Sequence, residues 1–397
     1  MHRLAIVISH PIQYHAPLYG YLAKDGRFQV KVFFMSDRGS RPFYEKFSGM
    51  MVRYDNPILE GYDHVFLHSR EPKNWWQRKT EFVHLGLGKE LLNFNPHAVY
   101  FHGYTNPSFW LAMLICKRKG IKVLLRGENE DVLPRPWWRM WLRELFLKIL
   151  LPNLDGVLYI GQHNKEFFLN RKISEDRLFY VPYSVDNHYF RGERSQAELD
   201  RIRKELLSKY GIEAGCRVFI YTHKLRSTMR PIEAVSAFCE AIRSQNLRSA
   251  LMMCGDGELR SEAEKVAEKN GGKGRVVFTG YLSQRDLRDH MLSSDVMINP
   301  AIEPWGCSVN EGLACGLAMI VSDQVVGSPD MVMPGLNGYV YPSGEGHALA
   351  QSIQKFSLMR VGDLTRMKRE SLKLSERLSF ETCAGGLAAA LRSVCPG

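Results

Sequence analysis

Two glutamates in the stretch EPWGCSVNEGLACG, residues 303–316, have the residue type and spacing to hold a ligand. Glu303 and Glu311 stand eight positions apart, around a run that contains Gly306 and Ser308. A carboxylate accepts hydrogen bonds and can hold the hydroxyls of a ribose or a sugar. A helix start with a nearby glycine offers free backbone N–H groups to an anion. The two glutamates could therefore bind two parts of one nucleotide sugar.

A second interpretation of the same residues is structural. Ser308, Val309, Asn310 and Glu311 match S-x-x-E, the capping box, which predicts a helix start near Ser308. The Glu311 carboxylate would then bond the backbone N–H of Ser308. Both interpretations stay open, because a carboxylate has enough lone pairs to serve a cap and a ligand.

Length and composition restrict the class of protein. A chain of 397 residues suggests two domains, and a net charge of +11 attracts anions. We expect no nucleic-acid partner, because no zinc-finger or RNA-binding signature occurs. None of the eight cysteines forms C-x-x-C, which favours free thiols in a reducing compartment. The apolar run Leu4–Ile8 is too short for a signal peptide, and no apolar stretch is long enough for a spanning helix. We therefore expect a cytoplasmic protein that can sit peripherally on the inner face of the membrane.

Short apolar runs alternate with helical patterns along the whole chain. The runs predicted as buried strands are 3–9, 29–36, 97–102, 122–127, 156–161 and 178–183, followed by 217–222, 249–255, 275–280, 295–301, 318–323 and 338–342. This alternation predicts an α/β fold of two tandem Rossmann-like, doubly wound domains that face a cleft. The polar stretch 184–215 separates the two series, which gives an acceptor-side domain at 1–190 and a nucleotide-sugar domain at 191–379. The last helix, about 380–397, could pack back on the first domain.

Several sequence blocks of the second series resemble family 4 glycosyltransferases, which are retaining enzymes of the GT-B fold. The blocks are GEL (257–259), VVFTGYLS (276–283), DVMINPAIEPWGCSVNEGLACGLAMIVSD (295–323) and GLNGYVYPSG (335–344). Their order and spacing fit that family, and Glu303 to Glu311 matches its E-x7-E signature. The resemblance spans roughly 217–345. The segment SHPIQYHAP at 9–17 also resembles a bacterial polysaccharide-biosynthesis branch of that family.

The resemblance implies roles for individual residues. Glu303 would contact hydroxyls of the donor sugar, and Glu311 would bind the ribose. The remaining donor-binding residues would be Gly306, Cys307 and Ser308 through their backbone N–H groups, and Tyr281 and Leu282 beside the base. A UDP-sugar is the expected donor.

The loop YTHKLRSTMRP, 221–231, resembles the family's phosphate loop but departs from it twice. Lys224 matches the first cation, whereas His223 stands where a glycine is usual and Met229 where a second lysine is expected. Arg230 or Arg226 could take over that charge. The chain contains no D-x-D pair, so we expect a metal-independent enzyme without a cofactor, in which cations neutralise the leaving diphosphate.

The first series contributes candidates at the ends of its strands. His102 resembles the family histidine that approaches the donor sugar, although a structural histidine is the alternative. His10, Gln13 and His15 follow the first strand and Arg126 and Glu128 follow another, so all five could line the acceptor side of a cleft.

The segment RPWWRMWLRELFLKILL, 135–151, combines tryptophans with arginines every four residues. Such a helix can lie on an anionic membrane surface. The alternative is a core-packed helix with a solvated arginine edge, which we favour for Leu145, Ile149 and Leu150. NWWQRK, 74–79, is a second aromatic and basic cluster.

The sequence thus predicts a retaining glycosyltransferase that moves a sugar from a nucleoside-diphosphate donor to an acceptor hydroxyl. The acceptor would be a lipid-linked or saccharide intermediate of envelope or exopolysaccharide synthesis. Two alternatives stay open: a nucleotide-sugar epimerase of the same fold, and a non-catalytic subunit that binds sugar nucleotides.

Overall fold

The chain divides into two compact units in a computed structural model. The structure describes residues 1–40, 43–45, 50–52, 57–67, 84, 86–192, 194–245 and 247–395, so the cluster at 74–79 lies outside the described residues. Unit 1 comprises Met1–Phe43, Met51–Val185 and Ser379–Gly397, and unit 2 comprises Tyr44–Met50 and Asp186–Leu378. The chain therefore leaves unit 1 after Val185 and returns to it at Ser379.

Each unit is built on a parallel sheet. The strands are β1 (His2–Ile8), β2 (Phe28–Phe34), β3 (Phe43–Glu45), β4 (Met50–Val52), β5 (Asp63–Phe66), β6 (Ala98–His102), β7 (Lys122–Arg126), β8 (Gly156–Tyr159), β9 (Leu178–Tyr180), β10 (Arg217–Tyr221), β11 (Ser249–Cys254), β12 (Val276–Gly280), β13 (Val296–Asn299), β14 (Ala318–Ser322) and β15 (Gly338–Tyr341). Every strand that the apolar runs predict is present. Three strands were not predicted: the short strands β3 and β4, which pair with each other outside the two large sheets, and the edge strand β5, in which Asp63 and His64 interrupt the apolar pattern.

The strand orders are those of doubly wound folds. The sheet of unit 1 runs β5-β2-β1-β6-β7-β8-β9, and the sheet of unit 2 runs β12-β11-β10-β13-β14-β15. All neighbours in the two sheets pair in parallel. Such sheets reverse their winding at one point, and ligands bind beyond the carboxyl ends of the strands there. These points lie between β1 and β6 in unit 1 and between β10 and β13 in unit 2. The predicted α/β fold of two parallel-sheet domains is confirmed.

Helices connect the strands and cover the sheets. They are α1 (Ala16–Lys24), α2 (Leu87–Phe94), α3 (Pro107–Arg118), α4 (Trp137–Leu150), α5 (Gln162–Leu169), α6 (Asn187–Arg191), α7 (Gln196–Lys209), α8 (Pro231–Gln245), α9 (Arg260–Lys269), α10 (Gln284–Leu292), α11 (Cys307–Ala314), α12 (Ser328–Met331), α13 (Gly346–Leu358), α14 (Val361–Glu376) and α15 (Phe380–Val394). The polar boundary stretch contains α7, whose start is closed by a capping box of Ser195 and Glu198.

The final helix α15 belongs to unit 1. Leu387 and Leu391 are fully buried in the same apolar cluster as Leu4 and Ile6 of β1. The helix also lies so close to β9 that a Cβ atom at Gly386 would stand 1.9 Å from the carbonyl oxygen of Tyr180. Burial of these leucines stabilises the sheet by the transfer of apolar surface from water.

Candidate active site

The two glutamates lie beyond β13, at the point where the sheet of unit 2 reverses its winding. Glu303 sits in the loop after the strand, and its backbone is fixed in place. Its N–H donates to the carbonyl of Gln324 at 3.1 Å, and its own carbonyl accepts from the N–H of Val326 at 3.0 Å. The loop is thus tied to the segment after β14, which gives the Glu303 side chain a defined origin.

Asn299, the last residue of β13, organises the side chains around Glu303. It is fully buried, and its Nδ2 donates to Glu303 Oε1 at 2.9 Å. The same Nδ2 lies 3.3 Å from Ser308 Oγ, while its Oδ1 accepts from the backbone N–H of Ala301 at 3.0 Å. Ser308 Oγ in turn lies 3.3 Å from His223 Nε2. One carboxylate oxygen of Glu303 is therefore held by the protein.

The start of α11 corrects the capping-box interpretation. The helix begins at Cys307, its N-cap is Gly306, and no side chain caps it. Gly306 has φ +109°, and a Cβ there would stand 2.8 Å from Val325, so only glycine fits. Ser308 lies inside the helix and contacts Asn299 and His223 rather than acting as a cap.

Glu311 has no capping role, and its side chain is half-buried. Burial raises the pKa of the Glu311 carboxyl from 4.5 to about 8, and the nearby Glu303 adds to the shift. Its carboxylate has no hydrogen bond to any residue in the described ranges. A half-buried carboxyl group without a protein partner loses part of its hydration, so a hydrogen-bonding ligand would stabilise it.

The loop after β10 faces the same switch point and is held rigidly. Leu225 N–H donates to the Asp256 carbonyl, and Leu259 N–H donates to the Leu225 carbonyl, both at 2.9 Å. A Cβ at Gly255 would stand 2.1 Å from the His223 carbonyl oxygen, and one at Gly257 would stand 2.6 Å from that of Leu225. The two glycines therefore allow the backbone of the loop to approach β11 closely.

The predicted cations of this loop have different surroundings. Lys224 is exposed, and Arg226 lies near enough to His223 to lower the pKa of that imidazole, together with the larger effect of burial. Arg230 has φ +50°, and its Nη1 forms an ion pair with Glu233 Oε2 at 2.6 Å. Met229 packs against the apolar core of unit 2. The expected second lysine is thus replaced by a core residue.

Tyr281 and Leu282 lie directly after β12. The ring of Tyr281 is 52% exposed, and Leu282 is half-buried ahead of α10. Because β12 is an edge strand, these two residues lie two strands away from β10 at the same end of the sheet. Their assignment to the base of a nucleotide stays a prediction.

In unit 1, the predicted histidines gather where β1 and β6 end. The ring centroids of His15 and His102 are 4.7 Å apart, and His10 Nδ1 lies 2.9 Å from Ser9 Oγ. Burial lowers the pKa of His10 to about 4, with Arg38 adding to the shift, and it lowers the pKa values of His15 and His102 well below their usual range. Gln13 lies in the turn before α1. The imidazoles are therefore neutral at physiological pH.

Arg126, the last residue of β7, and Glu128, which follows the strand, differ in exposure. Arg126 does not line an open surface, because it is fully buried and donates from Nη2 to the carbonyls of Val181 and Pro182 at 3.1 and 2.5 Å. This corrects the expectation that it faces a ligand directly. Glu128 is exposed.

Helix α4 also departs from expectation. Leu150 is buried as predicted, but Leu145 and Ile149 are 48% and 57% exposed, which corrects their assignment to the core. The arginine edge is not simply solvated either. Arg135 pairs with Glu130, and Arg143, whose side chain is 12% exposed, pairs with Asp131 and Glu144. Arg135 and Arg143 attach this segment to the unit, whereas Arg139 is exposed and most of the apolar side chains of the helix remain outside.

The exposed side chains of α4 form one apolar surface, which we call the α4 face. It consists of Trp137, Trp138, Met140, Trp141, Leu142, Leu145, Phe146 and Ile149. Trp110 of α3 contacts Phe146 with ring centroids 6.1 Å apart, and α3 itself exposes Leu111 and Leu114. Apolar surfaces of this size on a folded unit commonly mark an interaction site.

The described residues contain neither a metal-binding cluster nor a membrane-spanning helix. No group of three or more His, Cys, Asp or Glu side chains there could hold a metal ion. No helix in that part of the chain is long and apolar enough to cross a bilayer. The metal-independent mechanism stays a prediction.

Comparison with known proteins matches a segment in the second half of the chain to a known family. Residues 202–373 match the family model described as glycosyl transferases group 1, which is less than half of the chain. These residues form a glycosyl transferase domain. EpsD of Bacillus subtilis, a protein named as a glycosyltransferase, is 26% identical over 191 residues, covering 46% of this chain and 48% of its own. The lipopolysaccharide core biosynthesis glycosyltransferase LpsE of Rhizobium meliloti is 32% identical over 106 residues, covering 26% of this chain and 30% of its own.

The chain spans about half or less of the length of these curated relatives. Similarity of fold extends further. HepE of Anabaena, whose crystal structure was solved in complex with UDP, has a TM-score of 0.74 at 16% identity and covers 99% of this chain and 100% of its own. The solved neighbours are GT-B glycosyltransferases, so the two units have the predicted GT-B architecture. The glycosyl transferase domain contains Glu303, Glu311 and the whole loop 222–230.

Sequence reasoning did not find Asn299 or the tyrosines beside His102. Asn299 had a weak signal, because it is a polar residue at the end of the apolar run DVMIN. Tyr19 and Tyr100 lie 83 and 2 positions from His102, and their hydroxyls reach its Nε2 only in the folded unit.

Proposed function

We propose that this protein is a retaining glycosyltransferase that transfers a sugar from a nucleoside-diphosphate donor to an acceptor hydroxyl. One observation carries the proposal. Glu303, held by Asn299, and the half-buried Glu311 stand at the switch point of the glycosyl transferase domain, as does the cationic loop after β10. This arrangement presents carboxylates to sugar hydroxyls and cations to a diphosphate.

The donor would be bound along the ends of β10 and β13. Glu311 would accept hydrogen bonds from the ribose hydroxyls, and the N–H groups at the start of α11 would face the diphosphate. Lys224 and Arg226 would supply positive charge, whereas Arg230 would first have to leave Glu233. UDP is our choice of nucleotide, because HepE, of similar fold, was solved with UDP.

Transfer would break the bond between the anomeric carbon and the diphosphate and form a bond from that carbon to the acceptor oxygen on the same face. The acceptor proton would pass to an oxygen of the departing phosphate. A retaining hydrolase would instead use a carboxylate nucleophile on the opposite face, and no carboxylate is assigned there. Detection of a covalent sugar–protein adduct would contradict this route.

The acceptor would be a lipid-linked or polysaccharide intermediate, reached at an anionic membrane surface. The α4 face supports this part of the proposal. Trp137 and Trp141 are 79% and 63% exposed, and the exposed cations Arg139 and Lys148 stand on the same helix. Tryptophan prefers the membrane–water interface, and lysine and arginine are attracted to anionic lipid.

A non-catalytic subunit that binds sugar nucleotides is the second candidate. It is favoured by one observation, namely that Met229 packs in the core and Arg230 pairs with Glu233, which leaves fewer cations for the leaving group. An epimerase would convert donor without any acceptor.

The first experiment is a thermal-shift panel of UDP-, GDP-, ADP- and dTDP-sugars without metal. A ligand that binds only the folded state raises the Tm. We expect one nucleotide to raise it in the wild type and not in Glu311→Ala, while the exposed control Glu268→Ala keeps the shift. The donor so identified is then incubated with acceptor glycolipids, and release of nucleoside diphosphate and the anomeric configuration of the product are measured. Binding without turnover would favour the non-catalytic subunit, and no shift from any nucleotide would contradict both.

A further inference from the structure

A chain of hydrogen bonds beneath His102 has no role in the function proposed above. It begins at Arg126, which is fully buried and whose guanidinium stacks 4.7 Å from the ring centroid of Tyr183. The acceptors of Arg126 are neutral oxygens: the carbonyls of Val181 and Pro182, and the hydroxyl of Tyr100. Buried cations are usually paired with a carboxylate, so this arrangement needs an explanation.

Arg126 fixes the direction of the next hydrogen bond. Its Nη1 donates to the hydroxyl oxygen of Tyr100 at 3.2 Å, and a guanidinium can only donate. The hydroxyl proton of Tyr100 must then be given to another group. The Tyr100 hydroxyl contacts His102 Nε2, and the hydroxyl of Tyr19 lies 2.9 Å from the same nitrogen.

Counting the protons assigns the tautomer of His102. Burial raises the pKa of both phenols, which therefore stay protonated, and Tyr19 is also hydrogen-bonded to Tyr100. If His102 Nε2 carried a proton, both it and Arg126 Nη1 would donate to the hydroxyl oxygens. One phenol could still donate to the other, but the proton of the second phenol would have no acceptor within this cluster. If Nε2 is bare, Tyr19 can donate to Tyr100 and Tyr100 can donate to Nε2, so that every proton is satisfied. A buried unsatisfied donor costs about 1–3 kcal/mol, which favours the second arrangement.

The remaining nitrogen of His102 is then the one that carries a proton. Burial is the largest of the effects that lower the pKa of His102, and His15 and Arg126 add to it, so the ring is neutral. A neutral imidazole with a bare Nε2 has its proton on Nδ1. Nδ1 has no hydrogen bond to any residue in the part of unit 1 that the structure describes. An N–H donor is thus left for a ligand at the end of β6.

We propose that Tyr19, Tyr100 and Arg126 are positioning residues that hold His102 as the neutral Nδ1–H tautomer, so that it offers a hydrogen bond to a ligand oxygen at the end of β6. The proposal rests on the glycosyltransferase function for the identity of that oxygen, but the tautomer itself depends only on unit 1. A hydrogen-bond donor fixed in advance needs no reorganisation when a ligand binds.

The test measures the tautomer directly. Two-bond proton–nitrogen correlation spectra of the 15N-histidine-labelled full chain distinguish the protonated nitrogen from the bare one, and the His102→Gln variant assigns the signals. We expect Nδ1–H in the wild type at pH 7. In Tyr19→Phe/Tyr100→Phe we expect Nε2–H to prevail, as it does in free histidine. Tyr62→Phe is the matched control, because its hydroxyl bonds the carbonyl of Ile58 and its ring packs beside Tyr19.

Several results of these spectra would contradict the proposed tautomer. A wild-type His102 that is cationic or carries its proton on Nε2 overturns the proposal, and so does a double variant that keeps Nδ1–H. Should the double variant not fold, Tyr100→Phe takes its place, with a reduced share of Nδ1–H expected. In turnover assays the double variant should lower kcat about tenfold with little change in the donor KM, as expected for the loss of one hydrogen bond in the transition state. Absence of turnover with every nucleotide sugar would refute the glycosyltransferase function and leave the tautomer result standing.

Discussion

Asn299 Nδ2 donates a hydrogen bond to Glu303 Oε1 at 2.9 Å, so that an amide at the end of β13 orients a carboxylate in the loop that follows the strand. Asn299 is fully buried and holds Ser308 with the same group. Its amide thereby joins the first glutamate of the pair to the start of α11.

Asn299→Asp should damage both the site and the fold. The substitution removes the donor and places a second carboxylate beside Glu303, which repels it. We expect a loss of about 10- to 100-fold in kcat/KM and about 1–3 kcal/mol in the free energy of unfolding. Turnover assays and urea unfolding measure the two effects. Asn270→Ala, which removes an amide bonded to the Val266 carbonyl in α9, should change neither, and equal losses in both variants would argue against a special role for Asn299.

The raised pKa of Glu311 predicts how stability depends on pH. The folded chain keeps this proton up to about pH 8, whereas the unfolded chain releases it near pH 4.5. Between these values the folded state binds more protons, so this group contributes stability that is full below pH 4.5 and is lost as pH rises through 8. We expect the free energy of unfolding of the wild type, relative to Glu311→Gln, to fall by a few kcal/mol across that range. Parallel pH profiles of the two proteins would show that Glu311 does not titrate there.

Gly255 should tolerate no side chain. A Cβ atom would stand 2.1 Å from the carbonyl oxygen of His223, so the loop after β10 would have to move. We expect Gly255→Ala to lower the free energy of unfolding by roughly 1–3 kcal/mol and to weaken donor binding, because Lys224 moves with the loop. Denaturant unfolding and thermal shift measure these effects. In Gly362→Ala, where no atom lies within 4 Å of the added Cβ in a helix, donor binding should be unchanged and the free energy of unfolding should not fall.

The α4 face should bind anionic vesicles. Trp137→Ser/Trp141→Ser removes two exposed rings, and we expect at least about tenfold weaker co-sedimentation with phosphatidylglycerol vesicles. Added salt should weaken wild-type binding, because Arg139 and Lys148 contribute electrostatically. Leu358→Ser/Val361→Ser removes similarly exposed apolar side chains from unit 2 and serves as the control. A wild type that fails to sediment, or a control that loses binding equally, would rule out the α4 face as the contact.

The sequence predicted those features that depend on local pattern. Apolar runs predicted every strand of the two sheets except the edge strand β5, and the run around DVMIN placed Glu303 at the end of its strand. The capping box at Ser308 was wrong, because the N-cap is Gly306, two residues earlier, where a positive φ and close contact with Val325 require glycine. Such contacts depend on tertiary structure, which a four-residue motif does not contain.

The predictions that failed involve side chains whose surroundings come from distant parts of the chain. The burial of Arg126 depends on carbonyls of Val181 and Pro182, which lie 55 and 56 positions away. The exposure of Leu145 and Ile149 depends on which face of α4 meets the sheet. Helical periodicity shows that a helix has two faces, but aliphatic residues occupy both faces of α4, with Leu147 and Leu150 buried and Leu145 and Ile149 exposed, so the pattern could not tell which face is buried.

The return of the chain to unit 1 at Ser379 has a consequence for synthesis on the ribosome. Residues 1–185 emerge before unit 2, yet the helix that buries Leu4 and Ile6 is made after it. Unit 2 is a continuous segment from Asp186 to Leu378 apart from the short stretch Tyr44–Met50, so it can build its core while the earlier-made unit still waits for α15. The nascent sheet of unit 1 would therefore expose apolar residues throughout elongation, and chaperones that shield such surfaces would act on this unit first.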